Sequence, residues 1–450
     1  MPETLAGHWL SEPRLRFDYE NRAALSSDAF TGLKTWGPSD IGEQRKLGHR
    51  VVRAVIIGRA DRQDAMRDAR AALENHRMGK LHDVFDLKIV EELLVPATKH
   101  PREEATAYSE AVQSWLHRSR NGPKVQLAFV LHDDEEMYNK YAKGISPYYA
   151  SKAELLMAGI PTQNLCYKNL EPGKRLEDFR RYYVPNILTA SYAKLGGKPW
   201  VIEDDAVGRP EITLGVAMTA IYPDRNDAEA ERYVGISTIF KENGAFALWS
   251  LTPLKKDLDE YEVSLEDSIV DAIETYEQME NKRVSRIACH VSGKRAGRRE
   301  IEAIKRALDR FNPRTIAADL VHITQDATLW LLDGTHETLR PKAGFLTQLS
   351  GDGRVALMHT EGRNSSAKKY APRPLKLRVH SDTSADGPDD IYQHLYDLRW
   401  MSWRGVGTAS KPVSIDYPAR MAKLLAYLHN QEKVDALKFL PRLNTSAWFL

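Results

Sequence analysis

Apolar residues in this chain recur with two periods, and the change from one to the other divides it. The run Arg50-Val51-Val52-Arg53-Ala54-Val55-Ile56-Ile57-Gly58 reads as a buried strand, and from Arg62 to Met78 the pattern becomes helical. Lys124 to Leu131 predicts a second buried strand, after which His132-Asp133-Asp134-Glu135-Glu136 opens a helix with acids in its first turn. Ser146 as N-cap and Pro147 at the first helical position start another helix, which Gly159 closes ahead of Ile160-Pro161. Pro161 to Tyr167 alternates like a short strand. A last helix of this half begins at Pro185 and is stopped by Gly196-Gly197, which leaves Lys194 in its final turn.

Beyond Pro199-Trp200 the pattern turns to strands joined by short turns: Glu211 to Tyr222, Arg232 to Phe240 and Ala245 to Leu251. A helix over Ser264 to Lys282, a strand over Ser285 to Ser292 and an amphipathic helix over Ala296 to Phe311 complete the order βββαβα, that of the ribonuclease H fold. Further strands are predicted at Thr315 to Thr324, in a hairpin turning at Gly351-Asp352-Gly353, and at Pro374 to His380. Helices follow at Asp389 to Leu398 and Pro418 to Asn430. The first half, with strands alternating with helices, predicts a Rossmann-like parallel sheet. The chain is therefore expected to be α/β, with an irregular segment over 1–48 packed on the body, a first domain over 49–200 and a second over 201–450.

At 450 residues, with 42% hydrophobic and 28% charged residues, the composition is that of a globular chain with two domains. No apolar run reaches membrane-spanning length, and Met1-Pro2-Glu3-Thr4 lacks a signal pattern, so a cytoplasmic protein is expected. Cys166 and Cys289 lie too far apart in sequence to suggest a disulfide framework or a zinc site. The net charge of +2 hides blocks. From Asn281 to Arg314 eleven Lys or Arg face three acids, from Arg354 to Arg378 seven face one, and from Leu251 to Glu280 ten acids face two lysines. The acidic block reads as a solvated helix face. The two basic blocks are expected to contact phosphates, with Lys294, Arg295, Lys368 and Lys369 as candidates for a nucleic-acid backbone. No G-x-G-x-x-G, G-x-S-x-G, H-E-x-x-H or P-loop pattern occurs.

One stretch gathers polar groups suited to an anion. Tyr148 and Lys152 stand four apart on one helix, Gln163 opens the following strand, and Lys194 closes the next helix within Ala193-Lys194-Leu195-Gly196-Gly197. Taken singly, each could be a solvated face or a helix-dipole partner. As a set they resemble the MID domain of Argonaute proteins, whose pocket for the 5′ phosphate of a guide strand uses these residue types in this order. Many members carry a further Lys one turn before the last; Ala190 stands there in this chain. Gly37-Pro38-Ser39-Asp40 resembles an entry motif of short prokaryotic Argonautes. The second half, ending in Leu398-Arg399-Trp400-Met401-Ser402-Trp403 and Pro412-Val413-Ser414-Ile415-Asp416-Tyr417-Pro418-Ala419, resembles a PIWI domain.

Two-metal phosphodiester hydrolysis needs clustered carboxylates. Where the family's first strand has Gly-x-Asp this chain has Gly215-Val216-Ala217, and where the fourth strand has an Arg-Asp-Gly-like pattern it has Ser292; neither Ile212 to Met218 nor Ala288 to Gly293 contains any carboxylate. Asp204, Asp205 and Asp416 are stray alternatives. The resemblance thus implies a short Argonaute of MID and PIWI parts without slicing activity: a binding module for a 5′-phosphorylated guide, RNA by expectation, that pairs with single-stranded DNA. It also implies an APAZ-containing effector partner with a sirtuin-like, TIR or nuclease domain, in defence against plasmids or phage. A nuclease with unrecognised metal ligands and a structural partner without guide binding remain the alternatives. The final Trp448-Phe449-Leu450 is expected to be buried, and by the resemblance the Leu450 carboxylate and Gln163 hold a magnesium ion beside the guide phosphate.

Overall fold

A computed structural model describes residues 6–48, 50–119, 124–133, 146–170, 176–203, 209–221, 232–293, 297–325, 328–337, 339–361, 373–383, 387–429 and 445–450. Lys294, Arg295, Lys368, Lys369, Asp204 and Asp205 lie outside them. The chain falls into two compact units, each discontinuous in sequence. One comprises Leu15–Val201, Trp403–Gly407 and Leu424–Leu450; the other comprises Met1–Arg14, Ile202–Ser402 and Thr408–Lys423. Packing thus divides the chain less simply than a cut at residue 200, because late segments return to the first unit and the first residues join the second.

In the first unit the elements alternate: β1 (Arg50–Arg59), α1 (Gln63–Glu74), β2 (Phe85–Val95), α2 (Pro101–Arg118), β3 (Leu127–His132), α3 (Pro147–Met157), β4 (Thr162–Cys166) and α4 (Val184–Lys194). The four strands form a parallel sheet in the order β2-β1-β3-β4, whose switch point lies between β1 and β3. Strand β3 is buried at every position and α2 lays Tyr108, Val112 and Trp115 into the same core, so this face is closed to water. The segment before β1 is more ordered than its composition predicts. It holds two short helices, Ala29–Thr35 and Ile41–Leu47, the first capped by Asp28, whose carboxylate accepts from the Thr31 amide at 2.7 Å.

The second unit carries β5 (Ile212–Ile221), β6 (Arg232–Lys241), β7 (Phe246–Leu251), α5 (Leu258–Glu280), β8 (Arg286–Ser292), α6 (Arg298–Asp309), β9 (Ala317–Gln325), β10 (Phe345–Gln348), β11 (Val355–Met358), β12 (Leu375–Ser381), α7 (Pro388–Asp397) and α8 (Val413–His429). The βββαβα order is present. The sheet runs β10-β11-β12-β9-β8-β5-β6-β7 and is extended at β10 by His8–Trp9. Strands β5, β8 and β9 are mutually parallel and the other pairs antiparallel. One face of β8, through Ile287, Cys289 and Val291, packs in the core beneath α5 and α6. The other presents Ala288, His290 and Ser292, by the two-residue period of a strand. Helix α8 starts five residues before Pro418, the expected start, and keeps that proline inside it.

The segregated charges have a structural answer. Arg299 of α6 meets Asp259 and Glu262 of α5, both at 2.6 Å; Arg306 meets Glu262 at 3.2 Å and Glu266 at 3.0 Å; Arg310 meets Asp267 at 2.6 Å. Arg314 meets Glu277 at 2.7 Å. The acidic and basic blocks therefore neutralise one another across a helix pair. This corrects the expectation that the first basic block as a whole faces phosphates.

Candidate nucleic-acid interface

Helix α3 is placed by its cap, the Tyr149 amide donating to Ser146 Oγ at 3.3 Å, and is buried almost all round. Tyr148 and Lys152 are 7% and 3% exposed, so neither belongs to a solvated face. The Lys152 ammonium donates to Tyr148 Oη at 3.1 Å and to the main-chain carbonyl of Trp448 at 3.1 Å, and lies 5.3 Å from the Tyr148 ring centroid. The Tyr148 ring is backed in turn by His132, at the end of β3, stacked at 5.9 Å and 22°. Trp448 and Phe449 are buried and Leu450 is half-buried.

Lys194, 2% exposed, donates to the Thr162 carbonyl and to Gln163 Oε1, each at 2.6 Å. Burial holds its ammonium well below the ordinary lysine range, and the charges of Lys152 and Arg404 push the same way. All four expected residues thus come together: Tyr148 with Lys152, and Gln163 with Lys194, the two lysines close enough to repel. Neither lysine has a carboxylate partner among the described residues. The hydroxyls of Ser151, Thr162 and Ser191, carried on the same three elements and buried, have no hydrogen-bond partner among the described residues either. Two buried lysines that donate only to neutral oxygens, with spare hydroxyls beside them, make an arrangement rich in donors and suited to an anion.

The end of α4 is fixed from outside. Gly196 takes φ +89°, and a side chain at Gly197 would run into the Tyr192 ring. Tyr192 Oη donates to Asp40 Oδ1 at 2.7 Å, the Lys198 amide donates to Asp40 Oδ2 at 3.1 Å, and Ser39 Oγ donates to the Lys198 carbonyl at 2.8 Å. Ser39 and Asp40 of Gly37-Pro38-Ser39-Asp40 therefore clamp the lysine-bearing helix end. Arg404 is the cation that sequence reading missed, because it lies far along the chain. Its segment is pinned to α4 by the Val406 amide donating to Asn186 Oδ1 at 2.9 Å, an approach that only Gly405 permits.

In the second unit, Ala217 and Ser292 lie directly opposite each other in the parallel β5–β8 pair. Gly215 is required beneath them, since a side chain there would strike the Ser414 carbonyl. Alongside, His290 Nδ1 meets Ser414 Oγ at 2.7 Å and His394 Nε2 meets Thr213 Oγ1 at 2.8 Å. Burial lowers both imidazoles, His290 to about 3. Asp416 is engaged by Arg420 at 2.7 Å. Among the described residues, no three His, Cys, Asp or Glu side chains stand together as a metal site, and no helix is long and apolar enough to cross a membrane.

The Piwi domain family matches residues 141–430. The protein argonaute of Cereibacter sphaeroides is 22% identical, over 97% of this chain and 58% of that protein. The Piwi protein of Archaeoglobus fulgidus is 24% identical, over 68% of this chain and 72% of that protein. In fold the chain is similar to Clostridium butyricum Argonaute bound to a guide DNA and a 19-mer target DNA, with a TM-score of 0.68 at 15% identity, over 94% of this chain and 53% of that one. Drosophila Piwi gives 0.67 at 15% identity, over 99% of this chain and 56% of that one. The chain thus spans little more than half the length of the Cereibacter relative and of these two solved structures. With more than half of its residues inside the matched domain, the chain belongs to the Piwi domain family, on an Argonaute fold of ribonuclease H-like and Rossmann-like parts.

Proposed function

We propose that this protein holds the 5′ phosphate of a guide strand, RNA by expectation, in the pocket of Tyr148, Lys152, Gln163 and Lys194. The guide then pairs with single-stranded DNA, and duplex formation is passed to an APAZ-containing effector. The observation that carries this reading is the pair of buried ammonium groups without a carboxylate. Burying two unpaired cations costs several kcal/mol, and a phosphate supplies the compensating charge.

A divalent cation fits the pocket's donor chemistry. The Gln163 amide oxygen has a lone pair beyond the one Lys194 uses, and the Trp448 contact brings the segment ending at Leu450 to Lys152. Gln163 and the Leu450 carboxylate would hold the ion, which supplies positive charge between phosphates where Ala190 supplies none. In the second unit, Ala217 and Ser292 put no carboxylate at the facing strand positions where the family binds its metals. The protein is therefore proposed to bind targets without cutting them, the output residing in its partner. The relatives' names support a guide and target role: one solved neighbour carries both strands.

The test compares binding of 5′-phosphorylated and 5′-hydroxyl RNA, with and without chelator, and incubates the loaded protein with matched DNA and Mg²⁺ or Mn²⁺. Expected are a strong preference for the phosphate, weakened by chelator, and no cleavage product. Equal affinity for the two ends removes the pocket reading, and guide-directed cleavage at a fixed position removes the inactive one.

A further inference from the structure

Immediately before α4 the chain makes one π-helical turn, Phe179–Tyr183, closed by the Val184 amide donating to the Phe179 carbonyl. Such turns are rare and frequent at functional sites. This one turns two tyrosines outward, Tyr182 at 57% and Tyr183 at 40% exposure. Both are held: the Tyr183 ring stacks on buried Phe179 at 5.7 Å and 17°, and the Arg181 guanidinium lies 5.3 Å from the Tyr182 ring centroid. Asn186 joins this turn to the segment carrying Arg404, its Nδ2 donating to the Tyr182 carbonyl at 2.7 Å while its Oδ1 receives the Val406 amide. Arg404 in turn acts electrostatically on Lys194. Pocket, Arg404 and tyrosine pair therefore form one connected strip along α4.

Resting on the phosphate-pocket reading, we propose that Tyr182 and Tyr183, flanked by Arg180 and Arg181, are a stacking platform for bases of the single strand leaving that pocket. Exposed aromatic rings pinned by an arginine and a second ring lose little freedom when a base stacks on them, and every base has a face to offer. Glu177 and Asp178 in the preceding turn offset the two arginines locally, so stacking supplies most of the attraction. Helix α4 rises about 15 Å from Val184 to Lys194 at 1.5 Å per residue. That spans about four nucleotides at the stacked rise of ~3.4 Å, which places the contacted base near the fourth from the 5′ end.

The test uses the full chain and 5′-phosphorylated or 5′-hydroxyl single-stranded RNA with 2-aminopurine at one position at a time. Quenching is expected near the fourth position, lost in the double variant Tyr182→Ala, Tyr183→Ala and kept in Tyr182→Phe, Tyr183→Phe. Affinity for both RNAs should fall roughly ten-fold in the alanine variant, with an unchanged melting temperature. Unaltered quenching and affinity in that variant overturn the platform, even where the phosphate preference stands. A parent that ignores the phosphate yet shows tyrosine-dependent quenching keeps the platform and removes the pocket. Loss of binding to a protein partner alone, with RNA binding intact, also overturns the platform.

Discussion

The arginines of α6 and its C-cap and the lysines of the pocket carry the same formal charge in opposite circumstances. Arg299, Arg306 and Arg310 are close to half exposed and each faces carboxylates of α5. Lys152 and Lys194 are buried and face a phenol, an amide and main-chain carbonyls. The first group is satisfied by carboxylates within the fold; the second meets none among the described residues, and on the proposed function a phosphate supplies it. A count of basic residues ranks α6 as the better nucleic-acid site, and the partners reverse that ranking.

Giving the pocket an internal carboxylate should break this contrast most strongly. Ser191→Asp places an acid one turn from Lys194, where the native hydroxyl lacks a partner. The phosphate would then meet an anion, and the preference for 5′-phosphorylated over 5′-hydroxyl RNA should fall by roughly 3 kcal/mol in a competition assay. Lys194→Met keeps bulk and removes the charge. It should lose about 2 kcal/mol of phosphate discrimination, as for a charged hydrogen bond, while the melting temperature holds or rises because an uncompensated buried cation is gone.

The buried histidines sharpen the contrast through pH. Their folded pKa values lie below the unfolded value of about 6.5, so on acidification the unfolded chain takes up protons first and stability falls from pH ~6.5 downward. Asp397, raised by burial to about 6 despite Arg209, acts in the opposite sense between ~3.9 and 6 and cancels one of the two histidines. His290 alone contributes a slope of about 1.4 kcal/mol per pH unit below pH ~6, and His290→Gln should remove that contribution in denaturation curves taken across pH. The smallest effect belongs to the ladder. Arg306→Ala should cost about 0.5 kcal/mol of stability and leave RNA affinity and its salt slope unchanged. A reduced salt slope would return α6 to the interface.

Much of the fold is written in punctuation. Ser146, Pro147, Gly159 and Gly196-Gly197 mark the ends of the pocket helices, and apolar runs bounded by turns mark β5 to β8. Strand β2 and helix α2 escaped, because Glu91-Glu92 breaks the alternation of an edge strand and its helix follows a proline that reads first as a turn. The contacts of Tyr148 with Lys152 and of Gln163 with Lys194 were legible from type and spacing. Their depth was not: burial of Lys152 depends on a carbonyl almost three hundred residues away, which no side-chain pattern encodes. The ladder escaped for the mirror reason, since blocks of charge show sign and not partner. The π turn left no signal in the periodicity either, as one extra residue in a helix shifts no pattern that short.

The hydrogen bond between Lys152 and residue 448 is made by the main chain, beside an indole ring whose centroid lies 5.8 Å from the ammonium. Its consequence is genetic. A saturation screen at Trp448 would report on how the indole packs and on its place beside the ammonium, and the carbonyl would survive every substitution except one that bends the backbone. Only a change in the path of the chain, by deletion, nicking or a proline that bends the backbone, can withdraw that oxygen. The hydrogen bond is therefore expected to persist in point variants that lose the indole and to disappear in truncations.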